Sequence, residues 1–334
     1  MIHFVIVGIL VIAMTFLTYA GLQSINLGMP IQASAQAVPV DWMWNWQVAA
    51  ISFLLSLIVV MICYSLVVFR RKKGDTTDAE HVEGNTPLEI VWTIIPLITV
   101  VAFAYMGAYS LGQTRLITDS EAMIIKVRAQ QFSWTFEYPN GVVSTELHLP
   151  VWKQVVLKME SVDVIHSFWV PEFRIKQDVV PGRITEYRIT PSLEGDFMVR
   201  CAELCGSNHA YMETPVIVSS QAGYDEWMSE QFELVMADTP VGRGKHLATE
   251  NGCLGCHSIT PQPGASAPSW FGLFGEAVKL ADGTTVVADE AYLTESMLNP
   301  AAKEVDGYSP TIMKPQDLTP DEIADIIAFI MSLK

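Results

Sequence analysis

The sequence predicts three structural classes in series: N-terminal transmembrane helices, an all-β sandwich or barrel, and an all-α domain. Three observations carry this reading. Apolar residues gather into three long runs within the first 111 positions. Short β-rich runs punctuated by turn residues fill the middle of the chain. Helical patterning with explicit capping signals returns near the C-terminus.

The apolar runs are Phe4–Leu22, Trp46–Phe69 and Leu88–Leu111, each near the roughly 20 residues that cross a hydrocarbon core. From Thr114 onward the chain reads as water-soluble. Arg70, Arg71, Lys72 and Lys73 close the second run, and short cationic clusters beside a span stay on the cytoplasmic side. The loop at 70–87 is therefore inside, and a hairpin of the second and third runs delivers the remainder of the chain to the outer face. For the first run two readings stand. Ala33-Ser-Ala35 and Ala35-Gln-Ala37 resemble signal-peptidase sites, yet no Lys or Arg precedes the run, and a retained span with its N-terminus inside gives the same topology. The chain of 334 residues and net charge −16 lacks the basic surface that a nucleic-acid partner requires.

Glu89 opens the third run, in Asn85-Thr-Pro-Leu-Glu-Ile-Val-Trp-Thr-Ile-Ile-Pro96. A carboxylate at lipid depth is costly unless it faces protein or water, which suits either proton uptake or an interfacial anchor. Beyond it, Met123–Ala129, Phe132–Tyr138, Gln154–Met159, Ile184–Thr190 and Asp196–Arg200 read as strands, with turns at Pro139-Asn-Gly141, Pro181-Gly182 and Glu194-Gly195.

Directly after the last of these strands lies Cys201-Ala-Glu-Leu-Cys205-Gly-Ser-Asn-His209-Ala-Tyr-Met212. Thiolate, imidazole and thioether ligands suit copper, and a remote His166 adds a second imidazole. With a single cysteine this set would hold one copper. Paired thiolates can instead bridge two, with one imidazole on each metal, Met212 on one side and a backbone carbonyl on the other. Sharing one unpaired electron between bridged metals limits rearrangement on transfer, so the site reads as a relay. Cys-x3-Cys alone also suits a disulfide or structural zinc; the spacing of Gly206, His209 and Met212 favours copper.

The last domain begins with a connector at Tyr224–Met236 and a first helix around Gly244–Thr249. Cys253-Leu-Gly-Cys256-His257 is the attachment signature of a c-type heme, with Cys253 and Cys256 forming the thioethers and His257 the proximal ligand. His246 is its rival. No second pair of zinc ligands follows at close spacing. The opposite ligand is assigned to Met313, in the loop Gly307–Pro315 before the last helix; Met297 is the alternative, in a predicted helix at Ala288–Leu298 whose apolar face should pack. The last helix starts at Thr319 as N-cap, with Pro320 at N1 and Glu322 at N3. It buries Ile323, Ile326, Ile327 and Ile330, its expected partner being the first helix.

The motifs His166-Ser-Phe-Trp-Val-Pro-Glu-Phe173, Asp178-Val-Val-Pro-Gly-Arg183 and Cys201–Met212, with Asn85–Pro96, resemble those of subunit II of heme–copper oxidases over about 40–220. Residues 238–334 resemble class I cytochrome c. The resemblance implies a cupredoxin-like domain holding a dicopper CuA centre, with Glu203 giving its backbone carbonyl to copper and its carboxylate to a magnesium or manganese ion shared with subunit I. It puts Glu89 at the mouth of a proton path. It also makes Phe132 and Trp134, in Ala129-Gln-Gln-Phe-Ser-Trp134, the electron-receiving aromatics, Phe132 standing where the family often has Trp and so lacking an indole donor.

The expected organisation is 1–40, first span or signal segment with an outer loop; 41–113, membrane hairpin; 114–220, cupredoxin-like domain; 221–237, connector; 238–334, cytochrome c domain. The expected function is electron transfer in a terminal respiratory oxidase of the bacterial cell membrane. Electrons from cytochrome c or another high-potential donor pass through one covalent heme c and CuA to subunit I, with subunit III as a further partner, for oxygen reduction coupled to proton pumping. No oxygen site is encoded in this chain. A CuA subunit of a nitric oxide reductase and a membrane-tethered electron-transfer module are the competing readings.

Overall fold

A computed structural model describes the chain except for residues 72, 79–80, 82, 116–121, 237–238, 263–265 and 310–312. Lys72 of the basic cluster and residues 310–312 ahead of Met313 therefore lie outside the described residues. The chain divides into two compact units, one helical and one containing both the β-rich and the C-terminal regions.

The first unit consists of α1 (Ile2–Ser24), α2 (Ala37–Val68) and α3 (Thr86–Arg115), each long and apolar enough to cross a membrane. Helices α1 and α2 run antiparallel, as His3 Nδ1 lies 2.6 Å from the Tyr64 hydroxyl at one end while Gln23 donates to Asn45 at 3.2 Å at the other. Their polar sites are small: Thr18 Oγ1 lies 3.5 Å from Ser56 Oγ, and Ser52 and Ser56 are buried. Small residues let helices approach closely where no water competes. The predicted runs are right in number and place. The helices outrun them, most at the start of α2, because Trp42 and Trp44 continue the helix beyond the uniformly apolar core.

In the second unit ten strands form two five-stranded sheets. Strands β1 (Met123–Gln130), β2 (Ser133–Glu137), β3 (Val143–Ser144), β5 (Val155–Ser161) and β8 (Thr185–Ile189) give one sheet in the order β3-β2-β1-β5-β8. Strands β4 (Leu147–Pro150), β6 (His166–Val170), β7 (Ile175–Val179), β9 (Gly195–Cys201) and β10 (Glu213–Ser219) give the other in the order β4-β10-β9-β6-β7. Alternation turns Ile125, Val127 and Ala129 of β1 fully inward, where they meet Trp134, Phe136, Leu157, Phe168 and Val199 in one core. The result is a cupredoxin-like half-barrel. Segment Ala33–Ala35 belongs to this unit: Ala33 N donates to Glu172 O and Ser34 Oγ to Phe173 O.

Helix α4 (Gln221–Met236) continues directly from β10 and is fastened to the sandwich by Trp227, which stacks on His148 at 3.8 Å and 7° and meets Tyr138 edge-on at 5.2 Å. Helices α5 (Pro240–Glu250), α6 (Glu290–Leu298) and α7 (Pro320–Ser332) then build a second core with Trp270 and Phe329. Gly244 makes the α5–α7 crossing possible, since a Cβ there would lie 1.9 Å from Asp325 O; Arg243 clamps the same point with Nε 2.7 Å from Asp325 Oδ2. The capping box of α7 is complete, Thr319 Oγ1 accepting from Glu322 N while the Glu322 carboxylate accepts from Thr319 N. A hairpin of β11 (Ala277–Lys279) and β12 (Thr285–Val287) was not foreseen. It is too short to show a period in the sequence.

Candidate functional site: a cysteine–histidine cluster and a neighbouring cavity

Antiparallel pairing of β6 with β9 sets Phe168 opposite Cys201. This leaves His166, at the start of β6, and Cys201, at the end of β9, on the same rim of the sandwich. The chain then turns through Glu203 and Gly206 to a single 3-10 turn, His209–Tyr211, before β10. The turn brings His209 and Met212 back towards the thiols. Gly206 sits at φ +142°, and a Cβ there would lie 2.8 Å from Gln131 Nε2 and 2.9 Å from the Phe132 ring, so the tight loop needs glycine.

Cys201 and Cys205 are free thiols with sulfurs 3.8 Å apart. His166 Nδ1 lies 3.9 Å from Cys201 Sγ, His209 Nδ1 3.6 Å from Cys205 Sγ, and Met212 Sδ 3.7 Å from Cys205 Sγ. The Glu203 carbonyl is 3.2 Å from Cys201 Sγ, while the rest of Glu203 is exposed. Among the described residues, His166, Cys201 and Cys205 hold ligand atoms within 4.8 Å of one another, all three being buried. Soft sulfur and imidazole donors thus converge on one small volume, a set that fits copper.

The orientation of His166 is fixed from behind. Its Nε2 lies 2.9 Å from Asp163 Oδ1; the carboxylate accepts that N–H, which leaves Nδ1 facing the thiols. Burial opposes charge on His166, but its hydrogen bonds to Cys201 and Asp163 raise its pKa overall. Burial also opposes ionisation of Cys201, yet hydrogen bonds from His166 and from the backbone bring this thiol down to about 6. Cys205 is pushed up to about 12 by burial and by the neighbouring Cys201 charge. The apo pair therefore ionises one sulfur at a time, as like charges at close range demand.

The second feature is a cavity of about 420 Å³ lined by Cys253, Cys256, His257, Met297, Met313 and Tyr308 among others. Burial holds the His257 imidazole below its usual pKa. Its Nδ1 lies 2.9 Å from Pro268 O; a carbonyl only accepts, so Nδ1 carries the proton and Nε2 is the free lone pair. The ring stacks on Trp270 at 4.9 Å and 24°. Burial pushes the Cys253 thiol up to about 11 and raises that of Cys256. An apolar cavity with two adjacent thiols, an oriented imidazole and thioethers fits a covalent heme. Met297 is 5% exposed within the helical core, whereas Met313 is packed at its margin. His246 does not line the cavity; its Nε2 lies 3.7 Å from Glu250.

The cavity also touches the β sandwich through Gln130, Gln131, Val162 and Asp163. Contact is close: a Cβ on Gly252 would fall 1.6 Å from Gln130 Nε2, and one on Gly255 would fall 2.1 Å from Ser133 Cβ. Phe132 is 8% and Trp134 1% exposed. Trp134 packs edge-on against Phe168 at 5.5 Å and near His166 at 6.2 Å, so neither aromatic offers a broad face to solvent. Glu89 stands apart in the helical unit, exposed in the first turn of α3 beside Gly84.

Sequence reasoning missed Asp163, Gln131 and Pro268. Asp163 had a visible signal, an acidic residue three positions before a ligand-type histidine. Pro268 acts through its backbone carbonyl and leaves no mark in side-chain chemistry.

Comparison with known proteins gives three matched families. Residues 22–111 match the transmembrane domain of Cytochrome C oxidase subunit II, residues 141–221 its periplasmic domain, and residues 241–334 Cytochrome c. The chain is 34% identical over 251 residues to Cytochrome c oxidase subunit 2 of Synechocystis sp., covering 60% of this chain and 75% of that protein. It is 33% identical over 300 residues to the subunit of the same name from Alkalihalophilus pseudofirmus, covering 83% and 85%. A similar protein from Bacillus subtilis is 32% identical over 246 residues, covering 66% and 69%.

Proposed function

Since the chain belongs to the cytochrome c oxidase subunit II family and carries a fused cytochrome c domain, we propose that it is the electron-input arm of a terminal respiratory oxidase. It is a multi-pass membrane protein with its soluble domains outward, and a subunit without an oxygen-reducing site of its own. When bound, heme c and a copper pair supply successive one-electron couples between an outer donor and subunit I, which reduces oxygen to water with proton pumping.

The observation that carries this reading is the convergence of Cys201, Cys205, His166, His209, Met212 and the Glu203 carbonyl on one rim. Cys201 and Cys205 would hold the copper pair through their sulfurs. His166 and His209 each present Nδ1, with Asp163 fixing the first of them. Met212 and the Glu203 carbonyl complete the set from opposite sides. A heme would be held by Cys253 and Cys256 through thioether bonds, with His257 Nε2 and Met313 supplying the donors to its iron. The exposed Glu203 carboxylate is free to join a magnesium or manganese ion whose remaining ligands come from subunit I, since one carboxylate cannot fill an octahedral shell. Glu89 contributes to proton uptake at the same partner, and subunit III completes the assembly.

Phe132, against Gly206, and Trp134, whose Nε1 lies 3.5 Å from the Met212 carbonyl, serve electron entry to the thiolate site from within the chain. The outer donor, a cytochrome c or another high-potential protein, then meets the cytochrome c domain first. Copper and heme measured per chain in the purified complex test the proposal: a copper pair with one heme is expected, and zinc in the thiolate site or a heme-free chain would overturn it.

A further inference from the structure

The turn between β1 and β2 holds one side chain that faces both halves of the outer unit. Gln131 Nε2 lies 2.5 Å from the Cys205 carbonyl, and Gln131 Oε1 lies 3.0 Å from Lys314 Nζ. The amide cannot be turned over. Reversal would set its oxygen against a carbonyl and its NH2 against an ammonium, so both neighbours fix the same orientation. Its backbone N–H is held as well, donating to Asp163 Oδ2 at 2.8 Å. That carboxylate lies 3.6 Å from Lys314 Nζ and accepts from His166 through its other oxygen. Lys314 directly follows Met313. Gly206 leaves room for the amide, since a Cβ there would be 2.8 Å from Gln131 Nε2.

We propose that Gln131 is a positioning residue that locks the Met313–Lys314 loop in register with the thiolate loop. Its two amide atoms hold one loop each, so that displacement of either is felt by the other. This rests on the reading of the two loops as heme and copper ligands given above. Charge-assisted bonds such as that from Lys314 are the stronger kind, and a lysine held by both Gln131 and Asp163 has little freedom to swing away. The arrangement serves transfer within the chain, which depends on a fixed separation and not on the encounter of a mobile partner.

The test uses the full-length protein in its complex, with heme and copper quantified first. Gln131→Met removes both amide bonds at similar volume, and Lys314→Met removes the cytochrome-side bond together with the Lys314–Asp163 pair. Gln131→Met is expected to shift the copper paramagnetic resonance and visible bands and to slow heme-to-copper electron equilibration after flash reduction by about 10-fold, which corresponds to about 1.4 kcal/mol of activation free energy. Lys314→Met should slow equilibration with the copper bands unchanged. In the double variant the two effects should combine to less than their product, because both substitutions break the Gln131–Lys314 bond. If Gln131→Met does not fold, Gln131→Glu replaces it. It keeps the acceptor for Lys314 and loses the donor to Cys205, so the copper bands should move and equilibration should slow as well. Unchanged copper bands in the Gln131 variant, or multiplicative slowing in the double variant, would overturn the proposal. A parent chain lacking copper or heme would instead overturn the underlying function.

Discussion

At the residue scale, the imidazoles of His166 and His257 are oriented by neighbours that take one nitrogen of each ring. Asp163 takes the far nitrogen of His166, and the Pro268 carbonyl takes that of His257. The two methionines lie in separate cores, Met212 in the sandwich and Met313 against the helical core. Met212→Leu is therefore expected to alter the copper spectrum and leave the heme bands intact. Met313→Leu should do the reverse and lower the heme midpoint potential, because a thioether ligand favours the reduced iron; paired optical and redox titrations of the variants check this. The thiols also predict a pH dependence. With Cys201 lowered to about 6 and Cys205 raised to about 12, copper loading between these values displaces mainly the Cys205 proton. Affinity should rise roughly 10-fold per pH unit in that window. Towards the acid end of that window and below it affinity should fall more steeply, as first the raised His166 and then Cys201 also hold protons that the metal must expel. Competition with a chelator across pH measures the slope; a flat profile would contradict the assignment.

At the scale of elements, what was legible in the sequence was whatever local chemistry dictates. Thr319, Pro320 and Glu322 announce the start of α7, and its apolar face Ile323, Ile326, Ile327 and Ile330 is buried as the periodicity requires. Thr319→Ala should lower the stability of this helix by about 1 kcal/mol, read from the guanidinium midpoint of heme absorbance in the full chain. The three spans and the Cys201–Met212 spacing were readable for the same reason. Strands β4, β6, β7 and β10 were harder to read. β4 is buried at every position and β6 at all but Trp169, so neither alternates. The parallel pairing of β1 with β5 depends on long-range contacts with no local signature. The Gln131–Lys314 bond joins positions 183 apart, and neither residue type alone suggests it.

At the scale of the whole molecule, a membrane anchor and an outer unit with two redox sites share one chain. Within the outer unit, the heme-attachment loop and the sandwich approach so closely that Gly252 and Gly255 have no room for a Cβ. Trp227 stacked on His148 fastens the connecting helix to the sandwich. This geometry predicts that electrons exchange between the two sites within one chain, so heme-to-copper equilibration in the purified complex should be independent of protein concentration. A rate that rises with concentration would show exchange between chains.

All of this depends on two thiolates sharing a copper pair. Electron paramagnetic resonance of the fully loaded complex, oxidised by one equivalent beyond the all-cuprous state, tests that claim most directly. The account predicts one unpaired electron with hyperfine coupling to two equivalent copper nuclei, and a signal from a single isolated copper nucleus would contradict it.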